Sequence, residues 1–378
     1  MHALLPPLDL SVFANDYRAA RNNFLARSEK LRSLALFDAV HHRHPEHGPD
    51  GSPLHADWLL LSKSPQPEHL LVLISGTHGV EGFVGSAVQC DLLGEMPQLL
   101  EDERLGVLLI HALNPWGFAW LRRCDHEGID LNRNFIDFKA GLPNNGAYAT
   151  MHRLLSPTED SDKGFDAHTL EGITRGQYQY PNGLYFGGHG PSWSRQWLES
   201  RKQSTLLQKV KSIAAIDLHS GLGPFGYGEV ISDHPKVSPG FEIAREWYGA
   251  NAMSSALGES VSAPKTGLID YFWHKLIGPR GCFVTLEFGT YPADDMLTAL
   301  IREQRYTRRC AVADIGRDPD APEVAALRDF FYPEDDNWRQ SVLLRARQVV
   351  SLALAGMHAQ SQANASHATN IQSGAKRA

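Results

Sequence analysis

The sequence predicts a layered α/β fold, and three observations predict it. Short apolar runs recur at Trp58–Leu61, Leu70–Ser75, Val107–Ala112, Ile213–Leu218 and Cys282–Glu287, as expected of strands buried on both faces of a sheet. Segments of helical periodicity, Val84–Leu93 and Phe241–Leu257 among them, lie between several of these runs. That alternation belongs to helices packed on a sheet rather than to a sandwich or a bundle. The last four runs also stop abruptly at polar or glycine-rich residues, which marks strand exits.

Before the first of these runs, the residues from Val12 to about Leu36 place Phe13, Tyr17, Phe24, Leu25 and Leu31 on one helical face. The stretch HHRHPEHGPDGSP that follows reads as a loop from its Pro, Gly and Asp content. Its histidines, His41, His42, His44 and His47, read as a solvated turn rather than a metal site, because no ordered scaffold is expected to hold them. Between Lys139 and Trp197 the chain is rich in Gly, Pro, Tyr, Asn and Ser. Its aromatics indicate an ordered insertion near the mouth of a site. Near the end WRQSVLLRARQVVSLALAGM is helical, and residues 358–378 are polar and weakly periodic, hence expected as a disordered tail. The expected organisation is one catalytic domain over residues 1–357, with the insertion at 139–197.

Composition narrows the function. A net charge of −7 without a basic stripe speaks against a general nucleic-acid binder. No apolar run approaches the ~20 residues that span a bilayer, and no signal-peptide pattern opens the chain. Cys90, Cys124, Cys282 and Cys310 contain no Cys-x-x-Cys pair, so they read as reduced thiols in a cytoplasmic protein.

In open α/β sheets, ligands bind beyond the carboxyl ends of the strands. Three of the four clear exits here present a histidine or a glutamate: GTHGVEG, DLHSGLG and LEFGTY. His78 and Glu81 are three apart where a strand passes into a helix, a spacing that can bring both to one face. Alone, the pair is as well explained by structure as by metal. His219, at another strand end, supplies a third donor; two histidines and a glutamate form a known catalytic zinc set. Asp217, two residues before His219, shares its face and can anchor a ring nitrogen. Arg133, beside Asn132, can grip a carboxylate. Arg122 or Arg123 can stabilise an oxyanion. Glu287 ends a buried apolar run, where a carboxylate is costly unless paired or functional.

Taken in order, these pieces resemble the zinc carboxypeptidase superfamily, with its carboxypeptidase A-like or funnelin fold. The order is His78 and Glu81, Asn114 to Phe118, Arg123, Asp130 to Phe135, His219, then Glu287. The phrases DLHSGLGPFGYGE, GQYQYPNGLYFGG and FYPEDDNWRQ resemble the bacterial branch catalogued as domain of unknown function 2817. The resemblance implies a three-layer α/β/α sandwich around a mixed sheet of about eight strands. It implies one zinc ion held by His78, Glu81 and His219, with Glu287 as general base and then acid. Arg123 would polarise the scissile carbonyl, and Asn132 with Arg133 would bind a substrate carboxylate. The implied substrate is a small peptide or an N-acyl amino acid, with no nucleic-acid or membrane partner. The closing tyrosine of digestive carboxypeptidases has no clear counterpart, Tyr271 and Tyr291 being weak candidates.

Three alternatives stay open. One is an N-acyl-amino-acid deacylase of the aspartoacylase type, another a non-catalytic binding protein on the same fold, and the third a cysteine hydrolase built on Cys124. No charge between Gly221 and Asp270 stands out as a selector of substrate side chains.

Overall fold

The structure is a computed structural model in which residues 8–154 and 172–375 are described. Eight strands form one mixed sheet: β1 (Leu36–His47), β2 (Pro53–Ser62), β3 (His69–Ser75), β4 (Leu105–His111), β5 (Ser212–Gly221), β6 (Gly228–Ile231), β7 (Ala252–Met253) and β8 (Gly281–Gly289). Their order across the sheet is β1-β2-β4-β3-β5-β8-β6-β7. The central four, β4, β3, β5 and β8, run parallel. β1 and β2 add an antiparallel flank, and β6 adds another on β8. Every residue of β3, β4 and β5 is buried, which is why these strands read as unbroken apolar runs.

The helices are α1 (Tyr17–Glu29), α2 (Gly82–Leu99), α3 (Pro115–Ala119), α4 (Gly146–Leu154), α5 (Trp193–Ser200), α6 (Thr205–Lys209), α7 (Pro239–Tyr248), α8 (Asp270–Ile277), α9 (Ala293–Ala313), α10 (Pro322–Phe331) and α11 (Asp336–Ala375). One core joins α1, α2, α7 and α11 to one face of the sheet through Phe24, Phe83, Trp247, Trp338 and their neighbours. A second core joins α5, α6 and α8 to the other face through Trp197, Leu207 and Trp273. The result is the three-layer α/β/α arrangement expected. A third cluster, with Val80, Tyr148, Tyr185, Leu297 and Phe331, caps the strand exits.

The structure departs from the sequence reading in three places. The histidine-rich stretch is not a loop, because β1 runs through His47 and pairs with β2. His41 bonds Asp57 at 2.6 Å, His42 stacks on Trp193 and Trp197, and His44 is buried against Trp193 and His126. Cross-strand pairing and aromatic partners outweigh the turn propensity of the segment; the turn itself falls at Gly48–Ser52. The helix expected over Phe241–Leu257 ends at Tyr248, where Gly249 takes φ +58, and Ala252–Met253 joins the sheet instead. Finally, α11 continues past Met357 to Ala375 through the stretch expected to be disordered. Its repeated Ala and Gln residues are good helix formers that extend a helix already nucleated by packing. Of the expected insertion at 139–197, residues 155–171 lie outside the described residues.

Candidate metal centre and substrate cavity

Three strand exits build the site. β3 leaves the sheet at Ser75, and Gly76 with φ +66 turns the chain into the short segment that carries His78 and Glu81. Gly79 lies there because a Cβ would meet the Gly117 carbonyl carbon at 2.0 Å, so only glycine lets the two segments approach. β5 and β8 pair in parallel with His219 opposite Glu287. Those two side chains therefore leave the sheet side by side.

His78, Glu81 and His219 converge, with one donor atom from each within 4.8 Å of the others, and all three residues are buried. His78 Nδ1 lies 2.9 Å from Glu81 Oε1 and 3.1 Å from His219 Nδ1. His219 Nδ1 lies 2.9 Å from Glu81 Oε2. Each ring turns its other nitrogen to a carboxylate. His219 Nε2 meets Asp217 Oδ2 at 2.8 Å, and His78 Nε2 lies 3.3 Å from Asp130 Oδ1. Asp217 is fixed in turn by the Thr77 hydroxyl, which donates to it at 2.9 Å.

Charge in this cluster is balanced locally. Burial works to raise the Glu81 carboxyl, but His78 and His219 outweigh it and hold the group well below the usual carboxylate range. Burial likewise disfavours a charged His219, yet Asp217 and Glu81 lift its pKa well above the ordinary value. Glu287 behaves oppositely. Its carboxyl is pushed up by burial and by nearby Glu81, and it accepts a bond from the Leu222 N–H at 3.1 Å.

The two candidate arginines part company. Arg122 is buried away from the cavity, 3.0 Å from Glu303 and 2.7 Å from the Gln304 side-chain oxygen. Arg123 lines the cavity and donates to Asp130 at 2.9 Å, to Glu81 at 3.2 Å and to His78 Nε2 at 2.7 Å. Arg133 is fully buried at the cavity wall, donating to the carbonyls of Thr174 and Asn132. The Asn132 side-chain oxygen accepts from the Ile269 N–H at 2.9 Å, which leaves its amide nitrogen for the cavity.

The cavity that joins these groups has a volume of about 640 Å³. Leu222, Ile231, Leu268, Met296 and Phe331 supply its apolar walls. Several of its residues escaped the sequence reading. Tyr185 lines it with φ +54, its ring under the guanidinium groups of Arg123 and Arg133 at 5.1 and 5.2 Å. Asp233 and Lys265 also face it, so the Gly221–Asp270 region does carry charge to the cavity. Their only signal in the sequence was being charged residues in a Gly-, Ser- and Pro-rich segment, which did not separate them from surface charges. Tyr271 and Tyr291 are both 42% exposed and do not line the cavity. Burial pushes the Cys124 thiol up to about 11; it stays protonated near neutrality, which is unsuitable for a nucleophile.

No curated protein matches the chain. Among solved structures, the chain is similar to carboxypeptidase A from Helicoverpa armigera, at 12% identity and TM-score 0.49, covering 91% of this chain and 74% of that one. It is also similar to a metallo-carboxypeptidase from Burkholderia cenocepacia, at 12% identity and TM-score 0.43, covering 90% and 68%. An aspartoacylase family protein from Mesorhizobium loti matches at 17% identity and TM-score 0.38, covering 67% and 61%. The family described as "Protein of unknown function (DUF2817)" matches residues 13–345, and the chain belongs to that family.

Proposed function

We propose that this protein is a metal-dependent hydrolase, of the metallocarboxypeptidase kind, that cleaves an amide bond next to a carboxylate-bearing residue. One observation carries the reading. Two imidazole nitrogens and a carboxylate converge beside Glu287, at the end of a cavity that also holds Arg123, Asn132 and Arg133.

The residues fit zinc by the chemistry of the donor set. Two ring nitrogens facing one another at 3.1 Å leave room for at most one proton between them, and a divalent cation resolves that crowding. The outward nitrogen of His219 rests on Asp217, the carboxylate–histidine arrangement that orients zinc ligands, while that of His78 faces Asp130 at 3.3 Å and takes a bond from Arg123 at 2.7 Å. His78, Glu81 and His219 would hold the ion. When bound, zinc supplies a Lewis acid that activates water and polarises a carbonyl.

The rest of the chemistry belongs to the chain. Glu287, with its pKa raised by burial, is suited to take a proton from water and return it to the leaving amine. Arg123, which donates to Glu81 at 3.2 Å, would share oxyanion charge. Arg133, with the Asn132 amide, would hold the substrate carboxylate. Among the described residues, everything after Gly289 is helix or irregular chain.

The test combines elemental analysis with turnover of short peptides and N-acyl amino acids, each with and without a free carboxylate. Glu287→Gln should keep one equivalent of zinc and lose on the order of 10²–10⁴ in turnover. Full activity in that variant, or wild-type protein that neither binds metal nor hydrolyses any amide, would refute the proposal.

A further inference from the structure

Lys265 is a charge that the reaction described above does not use. It lies on the segment between β7 and α8 and lines the same cavity as Arg133 and Glu287. Its ammonium donates to the Ser262 hydroxyl. Asp233 lies within electrostatic reach, as do Glu287, Arg133 and Arg123, but the Asp233 carboxylate takes its hydrogen bond from Ser255. Neither Lys265 nor Arg133 forms an ion pair among the described residues. Among the described residues the guanidinium of Arg133 donates to two carbonyls, and Asp130 acts on it through charge without a hydrogen bond to it. A guanidinium has five N–H groups, so two remain after those three bonds. Two cations that share one cavity without an ion-pair partner are costly unless an anion joins them.

Their relative position is fixed by the fold. The Gly267 carbonyl accepts from the Phe135 N–H at 3.0 Å. Gly267 itself packs so tightly on the carbonyl of Arg133 that an added Cβ would lie 2.2 Å from the oxygen. Asn132 holds the Ile269 N–H, and Tyr178 donates to the Arg133 carbonyl at 2.6 Å. The segment bearing the ammonium is therefore fastened, two residues from Lys265, to the segment bearing the guanidinium.

We infer that Lys265 is a substrate-binding residue, and that its ammonium and the Arg133 guanidinium together clamp one carboxylate at the end of the substrate. This inference rests on the proposed function for the identity of the cavity as a substrate site. It adds a specificity: ligands ending in a carboxylate are preferred to their neutral amides by two cations, not one. Tyr271, a candidate from the sequence, reaches this segment through its hydroxyl, which donates to the Lys265 carbonyl at 3.3 Å.

The experiment is calorimetric binding to the Glu287→Gln protein, which does not depend on turnover. The probes are N-acetyl-L-alanine, N-acetyl-L-leucine and N-acetyl-L-glutamate, each against its α-carboxamide. At least one acid should bind more tightly than its amide. Adding Lys265→Met should weaken that acid by about tenfold or more while leaving the amide unchanged, as for loss of one charge-assisted contact. Lys265→Arg should restore most of the preference, and raised salt should erode it. Unchanged acid affinity in Lys265→Met, or no acid bound by the parent, overturns the inference. A lysine-dependent preference in a protein whose wild type hydrolyses nothing would instead sink the proposed function and leave the clamp standing.

Discussion

At the scale of single residues, the donor cluster is defined as much by what lies behind the rings as by the rings. Asp217 sits two residues before His219 on the same strand face and takes its Nε2 at 2.8 Å, which leaves Nδ1 turned to the centre. A carboxylate in that position fixes the tautomer and raises the basicity of the ligand. Asp217→Asn preserves shape but removes the charge. It should weaken zinc binding by about 10–100-fold, read by competition with a chromophoric chelator; unchanged affinity would show that the pair serves the sheet and not the ion. The partnership was legible beforehand because a strand's side-chain period of two is rigid. Lys265 was not legible, because a lysine between Pro264 and Thr266 gains meaning only from the arginine with which it shares a cavity.

At the scale of elements, the exits of β3, β5 and β8 were readable because strands buried on both faces leave so little choice of composition. The same logic explains what was missed. β1 is an edge strand with alternating exposure, so its histidines carry no apolar run to announce it. β6 and β7 have four and two residues, too few for periodicity to register. The segment between β7 and α8 holds only a short 3-10 turn, Ser255–Leu257, capped by Gly258, and its glycines tell which parts are held. Gly258 has φ +70 and open space around an added Cβ, whereas Gly267 has φ +79 and the Arg133 carbonyl in the way. Gly258→Ala should cost only the left-handed backbone strain, about 1 kcal/mol. Gly267→Ala must also displace backbone, so it should cost several times more in urea unfolding and weaken binding of N-acetyl amino acids. Equal costs at the two positions would mean that the segment does not bear on Arg133.

At the scale of the whole molecule, burial has stored protons of opposite sense in different places. His234 and His274 stack at 3.6 Å, with the Phe283 N–H donating to His234 Nε2 at 3.1 Å. Burial lowers the His274 pKa to about 3, and the facing ring of His234 pushes it the same way. Asp125 is the counterpart: burial raises its carboxyl to about 7, against the bonds it accepts from the Ile129 and Glu127 N–H groups. The unfolded chain titrates these groups near 6.5 and 3.8. Below pH ~6.5 the unfolded state takes up a proton on His274 that the folded state refuses, so that stabilisation is present above 6.5 and fades as pH falls towards 3. Between pH ~3.8 and ~7 the folded state holds a proton on Asp125 that the unfolded state has lost, so that contribution fades as pH rises through 7. Replacing each group separates them. Relative to His274→Phe, which keeps an aromatic ring against His234, the wild type should lose stability at about 1.4 kcal/mol per pH unit on going from pH 6 to 4.5. Relative to Asp125→Asn, it should gain at a similar rate over the same interval. Urea unfolding at four pH values measures both differences, and parallel curves for wild type and either variant would show that the group in question titrates alike in the folded and unfolded chain.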